Sequence, residues 1–68
     1  MIYYIFYKTN DVFLAEEKME ASNICVEIVP TPVQDKAYCG VCIKIDRAEE
    51  ARANKVLLGI EYRQIREA

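Results

Sequence analysis

The most constraining feature of this chain is an unbroken apolar run near its start, Ile2 to Tyr7, made of isoleucine, tyrosine and phenylalanine. These residue types favour β-strands, and a strand that is apolar on both sides is normally central in a sheet whose two faces are covered. A length of 68 residues with 53 % hydrophobic residues fits one small domain, residues 1–68. The run therefore predicts the middle strand of a single sheet.

Five further elements follow this strand, and each is marked by its hydrophobic period. Ala15, Met19 and Ser22 recur at helical spacing, which predicts a first helix that buries this side, and strict alternation predicts strands. Pro30-Thr31-Pro32 ends the second strand because proline has no N–H for a ladder, and it opens a loop that continues to Tyr38. The predicted elements are a helix over 12–23, strands over 24–29 and from 41, a helix over 47–58 and a strand over 60–66.

The helix ends carry their own signals. One of the polar residues 9–11 is expected to cap the first helix. Asp46 and Glu49 have the spacing of a capping box at the start of the second helix. Gly59 is a suitable residue to end that helix, because glycine readily adopts the left-handed conformation found there.

The order β-α-β-β-α-β predicts an α+β fold of the ferredoxin-like, split βαβ type. Right-handed crossovers place both helices on one face of a four-stranded antiparallel sheet. The other face is open and, because the first strand contributes bulky side chains to both faces, we expect it to be apolar and rich in tyrosine. An exposed apolar face on so small a domain predicts self-association, with a homodimer through that face as one form. The alternative is that the tyrosines tolerate half-exposure.

Charge and composition exclude several classes of protein. The net charge is -2 and the nine basic residues are scattered, which argues against nucleic acid as a partner. No run is long enough to span a bilayer, and the start lacks the basic leader of a signal peptide. Three cysteines, an odd number, indicate free thiols in a reducing cytoplasm rather than a disulfide-stapled secreted domain. No cofactor is predicted.

The residues suited to covalent chemistry lie in the segment from Cys39 to Cys42. The chain has no histidine, and a cysteine reacts as its thiolate. Residues three apart in an extended strand lie about 10 Å apart and point to opposite faces, whereas a disulfide needs a Cα separation of about 4.4–6.8 Å. Cys39 and Cys42 can therefore bond only if Gly40 introduces a turn or a bulge.

We interpret the three cysteines as having separate roles. Cys39, at the end of a polar loop, is the candidate reactive thiol, with unpaired backbone N–H groups and Lys36 available to stabilise its thiolate. Cys42 lies within the strand on the open face. Cys25 is expected to be a packed strand residue, since free cysteine is among the most often buried residue types.

Two other uses of these residues fit less well. A Cys-Gly-x-Cys motif occurs in thioredoxin-like redox centres, but there it opens a helix, whereas strand residues follow here. A single Cys-x-x-Cys pair leaves a tetrahedral zinc site two ligands short, so no metal is predicted, although two subunits could pool four thiolates. No catalytic pair of carboxylates is predicted, because the acidic residues Glu16, Glu17, Glu49 and Glu50 read as helix-surface charges.

Three segments, in order, resemble the selenium/sulfur carrier protein-like family of small bacterial and archaeal domains. Together they cover residues 1 to about 60. They are the strand ending at Phe6 with Ala15-Glu16 in the next helix, the strand end Val29-Pro30-Thr31-Pro32, and Cys39-Gly40 followed by an apolar strand and Asp46. Such domains often have an arginine after the second proline and serines before the cysteine, where this chain has Val33 and Lys36-Ala37-Tyr38.

The resemblance implies a non-catalytic cytoplasmic protein that accepts a sulfur or selenium atom on Cys39, as a persulfide or selenosulfide, and passes it on. Donor and acceptor proteins are the implied partners. Cys42 could act as a resolving thiol that releases the cargo, and Gly40, Lys36 and Pro30-Thr31-Pro32 are the expected binding surroundings. Two alternatives stay open: a self-associating interaction or regulatory module with structural cysteines, and a dithiol redox module that uses Cys39 and Cys42.

Overall fold

The computed structural model describes residues 1–32 and 37–66. In these ranges it contains four strands, two α-helices and one turn of 3₁₀ helix, in the predicted order. The elements are β1 (Ile2–Phe6), α1 (Thr9–Ala21), β2 (Val26–Pro30), β3 (Val41–Ile45), the 3₁₀ turn (Arg47–Glu49), α2 (Glu50–Val56) and β4 (Tyr62–Arg66). The predicted α+β class is confirmed.

The four strands form one antiparallel sheet in the order β2-β3-β1-β4. The apolar strand β1 lies between β3 and β4, so its predicted central position is confirmed. Both β1 and β3 pair with a neighbour on each side, so these two strands form the middle of the sheet. The two edges are β2 and β4.

The register assigns alternate residues to the two faces of the sheet. Tyr4 lies opposite Ile43, and both belong to the hydrophobic core. That core also contains residues from both helices, so both helices cover this face. Its buried members are Ile2, Tyr4, Phe6, Val12, Ala15, Met19, Ile24, Ile43, Ile45, Ala53 and Leu57.

The second face is less open than the sequence predicts. Ile5 and Cys42 lie opposite each other on it, and both are 0 % exposed. Tyr38 folds over this side, where Arg63 Nη1 donates a hydrogen bond to its hydroxyl oxygen (3.0 Å) and its ring centroid lies 5.1 Å from that of Tyr7. The apolar centre of the face is therefore shielded within one chain, and a homodimer through it stays a prediction.

The first helix begins earlier than predicted. It starts at Thr9, and its N-cap is Lys8, which has extended backbone angles and makes no capping side-chain bond. The prediction that one of residues 9–11 caps the helix is wrong, because these residues form its first turn. The predicted buried positions Ala15 and Met19 are confirmed.

The second helix is divided and shorter than predicted. Asp46 Oδ1 accepts a hydrogen bond from the N–H of Ala48 (2.9 Å), which confirms its capping role, but this cap opens a 3₁₀ turn. Glu49 does not complete a capping box and instead pairs with Arg52. Gly59 adopts a φ of 92° after the helix, a left-handed conformation that L side chains rarely adopt.

The strand at the β2 edge includes the proline that was expected to end it. The Thr31 N–H donates to the Gly40 oxygen (3.0 Å), so the N–H groups of alternate residues on β2 point towards β3. Pro30 then occupies an outward position, where its missing N–H breaks no bond of the sheet. The other strand ends also shift, since β2 begins at Val26 and β4 at Tyr62. Cys25 precedes β2 and is exposed, so its predicted burial is wrong.

Polar contacts fix α2 against β1 and β4. The Tyr4 hydroxyl donates to Asn54 Oδ1 (2.6 Å), so this buried phenol is paired. Glu50 accepts from Gln64 Nε2 (2.7 Å) and also binds Arg66. Burial, with the nearby Tyr62, raises the pKa of Tyr4 to about 12.

Candidate functional site

Cys39 lies at the end of the sheet where β1 stops and β3 starts. Its N–H donates to the carbonyl oxygen of Phe6 (2.9 Å). Ile5 lies opposite Cys42 in the β1–β3 register. An unbroken ladder would therefore place Val41, and not Cys39, opposite Phe6. The chain therefore makes an irregular step before β3, as at a bulge. This step leaves Cys39 half-buried at the edge of the core.

Thr31 joins the Pro30-Thr31-Pro32 segment to this step by two hydrogen bonds. Its N–H donates to the Gly40 oxygen (3.0 Å), which continues the β2–β3 register. Its hydroxyl donates to the Cys39 oxygen (2.8 Å). The two segments that the sequence marks as unusual are thus in direct contact.

The immediate partner of the Cys39 thiol differs from the one that the sequence predicts. Its Sγ lies 2.9 Å from the Val41 carbonyl oxygen and donates its proton there. Unpaired backbone N–H groups were expected near this thiol, but the N–H groups of Cys39 and Thr31 are bonded to the carbonyl oxygens of Phe6 and Gly40. The described contacts therefore fit a thiol rather than a thiolate, because a carbonyl oxygen attracts a proton and repels an anion. Lys36 lies outside the described residues.

Cys42 has a different environment from Cys39. It is 0 % exposed, and its Sγ lies 3.9 Å from the Pro30 oxygen. Burial raises the pKa of the Cys42 thiol, and the Thr31 hydroxyl partly offsets this by lowering it. The electrostatic interaction with nearby Cys39 raises the Cys42 pKa further. Cys42 is thus a protonated, shielded thiol at neutral pH.

The two cysteines of the Cys-x-x-Cys pair are not bonded to each other. All three cysteines are free. Cys39 packs against the core between the sheet and the helices, whereas Cys42 lies opposite Ile5 and Val29 on the other face. Because Cys39 lies before β3, at the irregular step, this arrangement depends on the fold and not on extended-strand geometry alone.

Gly40 has no steric reason to be glycine in this structure. Its φ is not in the left-handed region, and a Cβ added to it would meet nothing within 4 Å. The left-handed turn that glycine would permit is therefore absent at this position. The space that a Gly40 side chain would occupy is therefore open.

Sequence reasoning missed two features of the surroundings. The first is the clamp on Tyr38 by Tyr7 and Arg63, for which the sequence offers only the bare residue types. The second is the exposure of Cys25, which borders a groove of about 480 Å³ beside Asn23. Asn23 has a φ of 61° between α1 and β2, and of the two residues that follow it Ile24 is buried and Cys25 is exposed.

Within residues 1–32 and 37–66, no group of three or more histidine, cysteine or acidic residues could hold a metal ion, and no helix there is long and apolar enough to cross a membrane.

The comparisons with known proteins add one finding. Neither the curated proteins nor the solved structures include a match to the chain. A family model described as Putative Se/S carrier protein-like matches residues 1–67. The chain therefore belongs to the Putative Se/S carrier protein-like family.

Proposed function

We propose that this protein is a non-catalytic sulfur or selenium carrier that holds its cargo on Cys39. The observation that carries the proposal is the position of this thiol. Cys39 is half-buried and not sealed at one end of the sheet, its backbone is held by Phe6 and Thr31, and the space beside Gly40 is open. A carrier needs a reachable thiol on a fixed scaffold, and it needs no enclosed substrate pocket.

Loading on Cys39 is a transfer of one sulfur atom without net oxidation. The Cys39 sulfur attacks the outer sulfur of a persulfide on the donor protein, and the sulfur–sulfur bond of the donor breaks. The donor leaves as a thiolate, and Cys39 then carries the persulfide. The Cys39 proton, which is bonded to the Val41 oxygen, must leave before the attack, because the thiolate is the nucleophile.

The other two cysteines fit the carrier role less well. Cys42 is shielded from solvent. Cys25 is exposed, but it precedes Val26, which lies opposite Ile45 at the far end of the sheet. No backbone clamp like the one on Cys39 is described for it. Because Cys25 is exposed, the experiment must show that the sulfur is not carried on Cys25.

Release of the cargo is best assigned to a thiol of the acceptor protein. Cys42 could act as a resolving thiol only by attacking the Cys39 persulfide to give a Cys39–Cys42 disulfide and a sulfide ion. The two side chains lie on different faces of the sheet, and burial raises the pKa of Cys42. Both conditions disfavour its attack in the folded protein.

The donor and acceptor proteins would meet the end of the molecule that carries Cys39. Tyr7 follows β1 at this end and is 42 % exposed, and its ring packs against that of Tyr38, the residue before Cys39. Exposed apolar residues beside a reactive group are typical of contact surfaces. Three free thiols fit a reducing compartment, and we place the protein in the cytoplasm.

Sulfur loading can be measured directly. The reduced protein is incubated with a cysteine desulfurase and cysteine, and its intact mass is recorded before and after treatment with a reductant. We expect a reductant-sensitive gain of one sulfur atom that is absent in Cys39→Ala and kept in Cys25→Ala and Cys42→Ala. Loss of the adduct in Cys25→Ala alone, or no adduct on the unmodified chain, would reject Cys39 as the carrier.

The dithiol alternative has its own readout. If Cys39 and Cys42 work as a redox pair, mild oxidation of the same protein gives a Cys39–Cys42 disulfide, which reduces the mass by two hydrogen atoms. We expect no such loss while the protein is folded, because the two thiols lie on different faces. A rapid and reversible loss that requires both cysteines would favour the redox function instead.

A further inference from the structure

We propose that Thr31 is a positioning residue for Cys39, and that the Pro30-Thr31-Pro32 segment is a rigid mount for its hydroxyl. This inference rests on the proposed role of Cys39 as the working thiol. It assigns the two prolines a role at the site in addition to their role at the end of β2. The residue acts through the backbone of Cys39 and makes no contact with the cargo.

Two hydrogen bonds from one residue define the mount. The Thr31 N–H reaches the Gly40 oxygen at 3.0 Å, and its hydroxyl reaches the Cys39 oxygen at 2.8 Å. Consecutive carbonyl groups of the Cys39-Gly40 pair are therefore both held by Thr31. The irregular step before β3 is bonded on its other side through the Cys39 N–H to Phe6. Cys39 is thus held between β1 and the residue that follows β2.

The prolines restrict the backbone on both sides of Thr31. Proline fixes its own φ near about −65°, and a residue that precedes proline is confined to extended conformations. Thr31 is both preceded and followed by proline. Its backbone therefore has few alternatives in the unfolded or partly opened chain, and its hydroxyl returns to the same place.

The Thr31 hydroxyl is also close to the second thiol of the pair. Besides its bond to the Cys39 oxygen, the Thr31 hydroxyl interacts with the Cys42 side chain. A hydroxyl has one proton to donate, and in the structure that proton goes to Cys39. Without it, the Cys39 carbonyl would lose its partner and the thiol would no longer be fixed beside the Val41 oxygen.

The three cysteines of the chain make this inference testable in one experiment. The full-length reduced protein is treated with iodoacetamide at fixed pH, and the alkylation rate of each cysteine is followed by peptide mass analysis. In Thr31→Val, which keeps the shape and removes the hydroxyl, we expect Cys39 to react about fivefold faster, the factor that corresponds to the loss of one neutral hydrogen bond. Thr31→Ser, which keeps the hydroxyl, should react at the original rate.

Cys25 and Cys42 are the internal controls. Exposed Cys25 should react at the same rate in every variant, and buried Cys42 should stay protected while the fold is intact. An unchanged Cys39 rate in Thr31→Val, a Cys42 rate that rises in parallel, or a failure of Thr31→Ser to restore the rate would each overturn the inference. If Thr31→Val does not fold, as judged by circular dichroism, Thr31→Ala replaces it.

This test separates the inference from the function on which it rests. Alkylation reports how Cys39 is held, whether or not the protein takes up sulfur. Failure of the desulfurase experiment with a normal Thr31 effect on alkylation would reject the carrier function alone. Normal sulfur loading with no Thr31 effect would reject the positioning role alone.

Discussion

Cys42 and Ile5 lie directly opposite each other in β3 and β1, and neither exposes any surface to solvent. This pair is on the face of the sheet that the helices do not cover. The Cys42 thiol is therefore fully shielded from solvent, whereas Cys39, three residues earlier, is only half-buried. The two cysteines of the Cys-x-x-Cys pair therefore differ in solvent exposure, and we expect them to differ in reactivity.

The first prediction concerns the structural role of Cys42. We expect Cys42→Ser to lower the free energy of unfolding by about 1–3 kcal/mol, because it places a hydroxyl in an apolar site. The same change at exposed Cys25 should stay within about 0.5 kcal/mol. Urea denaturation of the two variants measures the difference. Equal effects at both positions would contradict the burial of Cys42.

The second prediction concerns alkaline pH. Burial raises the pKa values of Cys42 and Tyr4, the latter from 10.0 to about 12, so the unfolded chain ionises at lower pH than the folded chain. Their contribution to stability is complete below the unfolded pKa values and is lost as the pH rises towards the folded ones. We expect the urea midpoint to fall steadily between about pH 8 and pH 12.

Two variants assign that loss. Cys42→Ala should remove the lower part of the decline, and Tyr4→Phe should remove the upper part, at the expense of the hydrogen bond to Asn54. If the decline keeps its shape in both variants, other groups are responsible.

The third prediction compares the two glycines. Gly59 has a φ of 92°, so Gly59→Ala should destabilise the protein by about 1 kcal/mol, the order of the left-handed penalty for an L residue. Gly40 has no such φ and a Cβ there meets nothing within 4 Å. Gly40→Ala should therefore leave stability unchanged or raise it by about 0.4–1 kcal/mol. Thermal unfolding of both variants provides the measurement.

A functional readout on the glycine pair extends this comparison. If the open space beside Gly40 serves the approach of a partner, a bulky residue such as valine at position 40 should slow sulfur loading without lowering stability. Loading at the original rate in Gly40→Val would leave the glycine without a role in either property.

The fourth prediction concerns the edge of the sheet at β2. Pro30 presents no N–H outward, which limits pairing with another strand. We expect Pro30→Val to increase self-association at high protein concentration, as seen by size-exclusion chromatography with light scattering. Pro32→Val, beyond the strand, is the matched control and should behave as the original chain. Equal behaviour of the two variants would show that Pro30 does not guard this edge.

The sequence was sufficient for the order of elements and for the face that the helices cover. The hydrophobic period of β1, α1 and β3 results directly from which residues are buried, so the central strand and the positions of Ala15 and Met19 could be predicted. The ends of elements could not, because they depend on tertiary bonds. Lys8 caps α1 without a side-chain bond, and Pro30 stays in β2 only because β2 is an edge.

The site was predicted in part, for the same reason. The sequence marks the segment from Cys39 to Cys42 by its residue types, and it places Cys42 within a strand. The partner of Cys39 does not, because it depends on an irregular step between β1 and β3 that no local pattern marks. The contact of Thr31 with Cys39 joins residues eight positions apart, and only the folded sheet brings them together.

The pairing of Ile2 with Arg66 determines how this protein can be attached to other objects. The start of β1 and the end of β4 lie side by side there, at the other end of the sheet from the sulfur of residue 39. A fluorophore or a solid support attached to the exposed side chain of Met1 or Arg66 would therefore stand about the length of β1 away from that sulfur. Immobilised in this way, the molecule would still offer its thiol to whatever flows past.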